Sequence, residues 1–430
     1  MRIRSSRPLT LTVLGAAVTG AVLLGVAPPA SAVGSVQAAA VSSLATATYA
    51  PSAADKRIAS ALGSRVTTAR FGTSFTGAVI DSGSNATVWS RNGGTALKPA
   101  STTKLVTASN ALSLFGPDRR FTTTVRVGSA SNRVILQGSG DPSLSSGGLD
   151  AMARTTASTL LAKRITSVRV YVDDDVFPTP TLAYGWKASY VPDSITPVRG
   201  VVRDQRDNSD TSAEAARYFR DRLRAHGVPT VGYYGRANAA TTSAVLASTT
   251  GSTVATMVSR MLLNSDNEIA ESLHKLVGRK LGYGATWTGA RTAQAKQLAA
   301  QGLSATALYD GSGLSRADRL TAMQLTRVVD RGLDIRYRDR LWPMQSAQAI
   351  PTAGKTGTLK YRFTTTQSKC AVGKVWAKTG TLSDVVSLAG FTKGTDGRVK
   401  VFAFVVNGKD STTTLKQNID MLAATVNGCY

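Results

Sequence analysis

Ser101 and Lys104 stand three residues apart in Pro99-Ala100-Ser101-Thr102-Thr103-Lys104, directly ahead of the apolar-periodic segment Leu105 to Leu114. At a helix start that spacing puts a hydroxyl and an amine on one face, one turn apart. Serine alone is a weak nucleophile, and a lysine activates it only when burial or neighbouring positive charge displaces the lysine's own proton. Two more short motifs follow in order, Ser265-Asp266-Asn267 and Lys378-Thr379-Gly380. Together they supply what an acyl transfer needs: a nucleophile, a proton acceptor, a proton path to the leaving amine and an oxyanion pocket. Ser101 attacks, with Lys104 as the nearest base. Ser265 relays a proton to the leaving group and Asn267 holds the substrate amide. Lys378 supplies positive charge for a carboxylate and lowers the proton affinity of Lys104. The oxyanion donors expected are the backbone N–H groups of Ser101 and Thr381.

Each motif alone is weak. Ser272-Leu-His-Lys275 also reads S-x-x-K, but inside a helical pattern, and Ser90-Arg-Asn92 reads S-x-N ahead of the nucleophile. Lys-Thr-Gly occurs twice. The copy at Lys378 follows apolar Val375-Trp376-Ala377 and leads into a strand pattern, as an edge strand lining a cleft should, so catalysis is assigned there. The copy at Lys355 sits in a loop-like context after Pro351. His226 and His274 are the only histidines and no G-x-S-x-G elbow occurs, so both are read as surface or packing residues.

The 430 residues carry a net charge of +25, with Glu214, Glu268 and Glu271 the only glutamates. Such a surface suits nucleic acid, an anionic membrane or an anionic wall polymer. No RNP-like aromatic pattern, zinc-finger spacing or base-reading basic helix is present, so no nucleic-acid partner is expected. Gly138-Ser-Gly140-Asp141-Pro142 lacks the continuation of a phosphate loop and reads as a turn. Asp173-Asp174-Asp175 has no further spaced oxygen ligands and reads as a solvated strand end, so neither metal nor cofactor is expected. Arg2, Arg4 and Arg7 precede an apolar run from Leu9 to about Val26 and the small-residue site Ala30-Ser31-Ala32. That is a secretory signal peptide over 1–32; the competing reading, an uncleaved anchor, is disfavoured by Pro28-Pro29 and the small-residue site. Outside the cytosol the two cysteines, Cys370 and Cys429, are expected to pair.

The elements that must position these residues follow from periodicity. A flexible lead is expected over 33–53, then a helix opened by Ser52 and Asp55 through Leu62, a hairpin from Phe75–Asp81 and Ala86–Arg91, and the helix of Ser101, closed by Gly116-Pro117. From 118 to 245 the texture changes: a hairpin over 120–137, a helix from Asp150 to Arg164, a strand from Ser167 to Val172 and a helix from Thr211 to His226. Beyond 245 come long helices flanking Ser265-Asp266-Asn267, then an antiparallel meander of Val375–Thr381, Val385–Thr392 and Val399–Asn407, and a last helix from Thr412 to Val426.

With the ordered triple go Gly140-Asp141-Pro142-Ser143-Leu144, Asp310-Gly311-Ser312-Gly313-Leu314-Ser315, Gly357-Thr358-Leu359 and Leu388-Ala389-Gly390-Phe391. On these residues the chain resembles the penicillin-binding D-alanyl-D-alanine carboxypeptidase/endopeptidase family, peptidase family S13, from about residue 55 to the end. The resemblance implies an α/β (α+β) fold: a penicillin-binding/β-lactamase-like transpeptidase domain with an antiparallel sheet flanked by helices, split into 54–117 and 246–430 by a large mixed insertion at 118–245. It implies that Thr379 and Thr381 help Lys378 bind the substrate's terminal carboxylate, with Gly380 and Ser383 in the same substrate-binding stretch. The partners it implies are peptidoglycan stem peptides and β-lactams, met outside the cytoplasm at the cell wall. The extra Lys-Thr-Gly departs from the family pattern. A β-lactamase shares the chemistry, but no glutamate here stands in an E-x-x-x-N arrangement. A non-catalytic basic wall-binding protein is the other alternative, and its mark, loss of Ser101, Lys104 or Lys378, is absent.

Overall fold

Residues 49–69, 71–303 and 307–430 are described by a computed structural model. The expected signal segment and the lead up to residue 48 lie outside the described residues. Helix α1 (Ala53–Thr68) opens on a capping box in which the Ser52 hydroxyl accepts from the Asp55 N–H and the Asp55 carboxylate accepts from the Ser52 N–H. It continues past Leu62 because Val66 extends the buried stripe of Ile58 and Leu62. The hairpin β1 (Phe75–Asp81) and β2 (Ala86–Arg91) is found where expected, and β3 (Ala96–Leu97) leads to a 3-10 turn, Ala100–Thr102, and helix α2 (Thr103–Phe115).

The next stretch holds β4 (Thr122–Val127), β5 (Arg133–Gln137), α3 (Ser146–Ala162), β6 (Ser167–Asp173), α4 (Thr211–Ala225), β7 (Thr230–Arg236) and β8 (Val245–Thr250). The chain then returns through α5 (Val254–Asn264), α6 (Asn267–Lys280), α7 (Trp287–Ala300), β9 (Leu320–Thr321), α8 (Ala322–Leu333) and the short α9 (Arg338–Leu341). It ends with β10 (Val375–Leu382), β11 (Val385–Lys393), β12 (Val399–Asn407) and α10 (Thr413–Asn427).

Chain start and chain end share one antiparallel sheet of order β10-β11-β12-β1-β2. Alternation along β12 splits its side chains between two cores. Phe402, Phe404 and Val406 pack with Ile58 and Leu62 of α1 and Ile419 and Leu422 of α10. Val401, Ala403 and Val405 pack with Leu105 of α2, Met261 of α5, Leu273 of α6 and Leu325 of α8. A sheet covered on both faces loses the polar alternation of a half-exposed one, which is why β1 and β12 read as nearly continuous apolar runs. Each buried Val or Phe contributes about 1.5–3 kcal/mol, so the sheet is a rigid base for the edge strand β10.

The second sheet, of order β7-β6-β5-β4-β8, is drawn from residues between 122 and 250. Strands β5, β6 and β7 are parallel, with α3 and α4 as crossovers, and β4 is antiparallel to both neighbours. Val134, Leu136, Val168 and Val170 meet Leu149, Met152, Phe219 and Leu223 in its core. Strands β7 and β8 escape the sequence pattern because both are edges, half exposed, with Gly232 and Gly235 in one and a Ser/Thr tail in the other. The solvated strand end expected at Asp173-Asp174-Asp175 needs correction: only Asp175 is exposed. Asp174 is buried against the guanidinium groups of Arg236 and Arg199, and Asp173 accepts from the Gln137 amide and the Ala239 N–H. A carboxylate is tolerated inside when its lone pairs are matched in this way.

A disulfide joins Cys370, in a turn ahead of β10, to Cys429 just beyond α10. No helix among the described residues is long and apolar enough to cross a membrane.

Candidate active site

The turn that carries Ser101 is bolted to the sheet before α2 begins. The Ser387 hydroxyl of β11 and the Thr102 hydroxyl both donate to the Pro99 carbonyl at 2.7 Å, and Asn407 at the end of β12 bonds the Lys98 backbone in both directions. Ala100 is held at φ +49°, a left-handed conformation that a β-carbon disfavours. The loop from Asp310 to Ser315 presses on this turn from the other side. At Gly313, with φ +81°, an added Cβ would lie 2.0 Å from the Ala100 carbonyl oxygen, so only glycine lets the two segments meet.

Lys104, on the first turn of α2, is fully buried. Its Nζ donates to Ser101 Oγ at 3.1 Å, to Asn267 Oδ1 at 2.7 Å and to the Ser312 carbonyl at 2.8 Å. Burial pushes this amine down to about 8, against the nearby carboxylates of Asp310, Glu271, Asp266 and Glu268, which hold it up. Three acceptors favour the ammonium and the lack of water favours the amine, so the group is poised to exchange a proton near neutral pH.

The second motif is shaped by two abutting helix ends. Ser265 caps α5 in the left-handed region, φ +62°, and Asp266 caps α6 by accepting from the Ile269 N–H at 3.0 Å. Asn267 is thereby the first residue of α6, its Oδ1 on Lys104 and its Nδ2 donating to the Ser194 carbonyl at 2.7 Å.

Lys378, on the edge strand β10, is also fully buried, and its Nζ donates to Ser265 Oγ at 2.9 Å and to the Thr379 carbonyl at 2.7 Å. Burial, then repulsion from Lys104, drives it well below the ordinary lysine value. Burial is the leading cause at both lysines, the repulsion between the two amines adds to it, and at Lys104 nearby carboxylates offset part of the shift. Thr379 donates its hydroxyl to Thr358 Oγ1 at 2.8 Å, so the earlier Lys-Thr-Gly loop braces the later one while Lys355 itself is exposed. At Gly380 an added Cβ would lie 2.7 Å from the Pro99 carbonyl and 3.1 Å from the Ser101 nitrogen. Thr381 is exposed. Ser383 lies exposed in the hairpin turn after β10; its carbonyl accepts from the Ser411 N–H, and among the described residues its side chain makes no hydrogen bond to the site.

The structure thus brings Ser101, Lys104, Ser265, Asn267, Lys378, Thr379 and Gly380 together and leaves Ser383 at the rim. It also adds groups the motifs did not name: the Ser312 carbonyl, the Ser194 carbonyl, and Asp310, whose Oδ2 accepts from Trp186 Nε1 at 2.7 Å. The stretch Asp310 to Ser315 carried a signal in its Gly-Ser-Gly composition. The segment holding Trp186 and Ser194 carried none. His274 is buried and pushed down to about 3 by burial, and His226 bonds Asp150 at 2.7 Å, so both are packing residues. No cluster of metal-binding side chains occurs among the described residues.

Residues 58–205 and 197–426 match the D-Ala-D-Ala carboxypeptidase 3 (S13) family. Carboxypeptidase DacB of Mycolicibacterium smegmatis is 32% identical over 383 residues, covering 82% of this chain and 80% of that protein. A D-alanyl-D-alanine carboxypeptidase of Actinomadura sp. is 26% identical, with 77% of each chain covered. The crystal structure of penicillin binding protein 4 (dacB) from Haemophilus influenzae superposes with a TM-score of 0.73 at 20% identity, covering 85% of this chain and 99% of that one, and shares the fold. By the extent of the family match and the identity to DacB over most of both chains, this protein belongs to the D-Ala-D-Ala carboxypeptidase 3 (S13) family.

Proposed function

We propose that this chain is a serine-type D-Ala-D-Ala carboxypeptidase/endopeptidase that acts on peptidoglycan stem peptides through an acyl-enzyme on Ser101 and is acylated by β-lactams. The observation that carries the reading is the fully buried Lys104 amine bonded at once to Ser101 Oγ and Asn267 Oδ1. As the free base, Lys104 takes the Ser101 proton while Oγ attacks the carbonyl carbon of the penultimate D-alanine. The oxyanion settles between the Ser101 and Thr381 N–H groups, a pocket whose width is set by the close approach of Gly380. Ser265, fed by Lys378, protonates the departing amine, and the peptide bond breaks to leave an ester on Ser101. Lys378, Thr379 and Thr381 hold the terminal carboxylate of the departing residue, with Ser383 at the outer edge, and Asn267 holds the substrate amide. Water then attacks the ester, its proton passing through Ser265 back to Lys378, and as the ester bond breaks Lys104 returns its proton to Oγ.

Residues 54–117 and 251–430 form the transpeptidase-like part in this reading, and 118–250 is an insertion between them, ending later than the expected residue 245 because β8 pairs with β4. The work is done outside the cytoplasm after removal of 1–32. The charge of +22 that remains once Arg2, Arg4 and Arg7 are removed from the +25 of the full sequence suits association with anionic cell-wall polymers; binding to purified walls that is the same at low and high salt counts against that association. A β-lactamase reading is disfavoured because none of the three glutamates stands in the E-x-x-x-N arrangement. Mass spectrometry of the penicillin-treated protein tests the acyl-enzyme: one stable adduct on Ser101, absent from Ser101→Ala, is expected, and rapid turnover of nitrocefin overturns it. Digestion of defined muropeptides then separates carboxypeptidase from endopeptidase action.

A further inference from the structure

Behind Lys104 lies a buried acidic cluster that the proposed mechanism does not use. Glu271 stands on α6 four residues after Asn267, hence on the same helix face. It is fully buried, its Oε2 accepting from the Gly311 N–H at 2.9 Å and its Oε1 from the Ser312 N–H at 2.7 Å. The next group along that backbone is the Ser312 carbonyl, which accepts from Lys104 Nζ. From the α2 side the Thr107 hydroxyl grips the Gly311 carbonyl at 2.7 Å. The rest of the loop is closed by Asp310, whose carboxylate accepts from the Gly313 and Ser315 N–H groups at 2.7 Å each. Asp310 thus holds the N–H of the very peptide unit whose carbonyl meets Lys104, and Glu271 holds the two units before it, fixing Ser312 from its N-terminal side.

We propose that Glu271 is a positioning residue for Lys104: by accepting the Gly311 and Ser312 N–H groups it fixes Ser312 from its N-terminal side, so that, with Asp310 on the Gly313 N–H, the Ser312 carbonyl faces the lysine amine, and it places a second carboxylate beside Asp310 behind that amine. The groups facing the pair are known on every side. Asp310 comes from the loop, Asp266, Glu268, His274 and Lys275 from α6 and its cap, Asp318 from beyond the loop, and Lys378 from β10. Burial and then Asp310 push the Glu271 carboxyl up to about 8, against the pull of its two N–H donors. Glu271 and Lys104 share this buried site, and a charged Glu271 keeps a proton on Lys104 that a neutral one does not.

The inference rests on the reading of Lys104 as the base, and the test separates the two. The rate of acylation by benzylpenicillin is measured against pH for the whole protein. Glu271→Gln removes the charge and one acceptor, so the acid limb moves to lower pH by about one unit and the plateau falls. Glu271→Asp keeps the charge but is a methylene too short to reach both N–H groups, so the limb stays in place and the plateau falls about tenfold, as small misplacements do. Asp318→Asn, in the same cluster but bonded to the Tyr309 N–H, leaves the limb where it is. A Glu271→Gln limb that coincides with the wild type overturns the proposal. Should that variant not fold, Glu271→Asp decides alone, and a wild-type plateau overturns it. Failure of the underlying reading looks different: acylation then survives Lys104→Ala.

Discussion

Lys378 Nζ donates to Ser265 Oγ across 2.9 Å, which ties the edge strand β10 to the junction of α5 and α6 and sets a buried amine against the hydroxyl proposed to deliver a proton. The other Lys-Thr-Gly makes no such contact, and Lys355 is exposed. Lys378→Ala is expected to lower the acylation rate by about 10²–10³, the scale of losing a preorganised electrostatic partner. Lys355→Ala should stay within about twofold, as surface substitutions away from a site do. Stopped-flow acylation of both variants checks the pair, and a loss at Lys355 equal to that at Lys378 would reverse the assignment of the two motifs.

Gly380 offers a geometric test. Its Cα faces the Pro99 carbonyl and the Ser101 nitrogen so closely that an added methyl, 2.7 Å and 3.1 Å from them, pushes the strand away from the nucleophile's turn. The same methyl would meet Ser387 Oγ at 2.2 Å and disturb its bond to Pro99. Both errors widen the proposed oxyanion pocket, and a misplacement of about 1 Å costs about 10² in rate. Gly380→Ala should therefore lose acylation far out of proportion to any change in melting temperature. A variant that acylates at the wild-type rate would mean the pocket lies elsewhere.

What the sequence shows and what it hides follow from the same physics. The strands of the first sheet could be read almost to the residue, because Phe402, Phe404 and Val406 alternate with Val401, Ala403 and Val405 into two cores. The three motifs could be read because each combines polar types that have no packing reason to recur in that order. Strands β7 and β8 were hidden because edge strands are asked for little apolar burial. Glu271 was hidden for a different reason: its role depends on which backbone N–H groups the fold brings to it, Gly311 and Ser312, forty residues along the chain. The motif order shows Lys378 as a partner of Lys104 but not how completely Lys104 is buried, which is the larger cause of its shift.

Away from the site, Lys400 joins three carboxylates inside the first sheet. Its Nζ, wholly buried, donates to Asp55 at 2.5 Å, Asp81 at 2.7 Å and Asp396 at 3.1 Å, and Arg398 reaches Asp55 at 2.6 Å. Burial raises each carboxyl group, and the hydrogen bonds outweigh it. For Asp396 the donors are Ser52, Lys400 and Arg398, and they leave it at about 2; Asp55 and Asp81 also lie below the usual carboxylate range. In the unfolded chain these groups titrate near ~3.9. Their contribution to stability is therefore full above about pH 4 and is lost as pH falls through about 2, because the unfolded state binds the protons first. Lys400→Met leaves three carboxylates crowded around a buried site with Arg398 alone, and should cost about 3–5 kcal/mol at pH 7. The same variant should lose less stability than the wild type between pH 4 and 2, since protonation then relieves repulsion instead of breaking bonds. Urea midpoints at pH 7, 4 and 2 for both proteins check this, and equal acid sensitivity in the two would show that the cluster is not what acid dismantles.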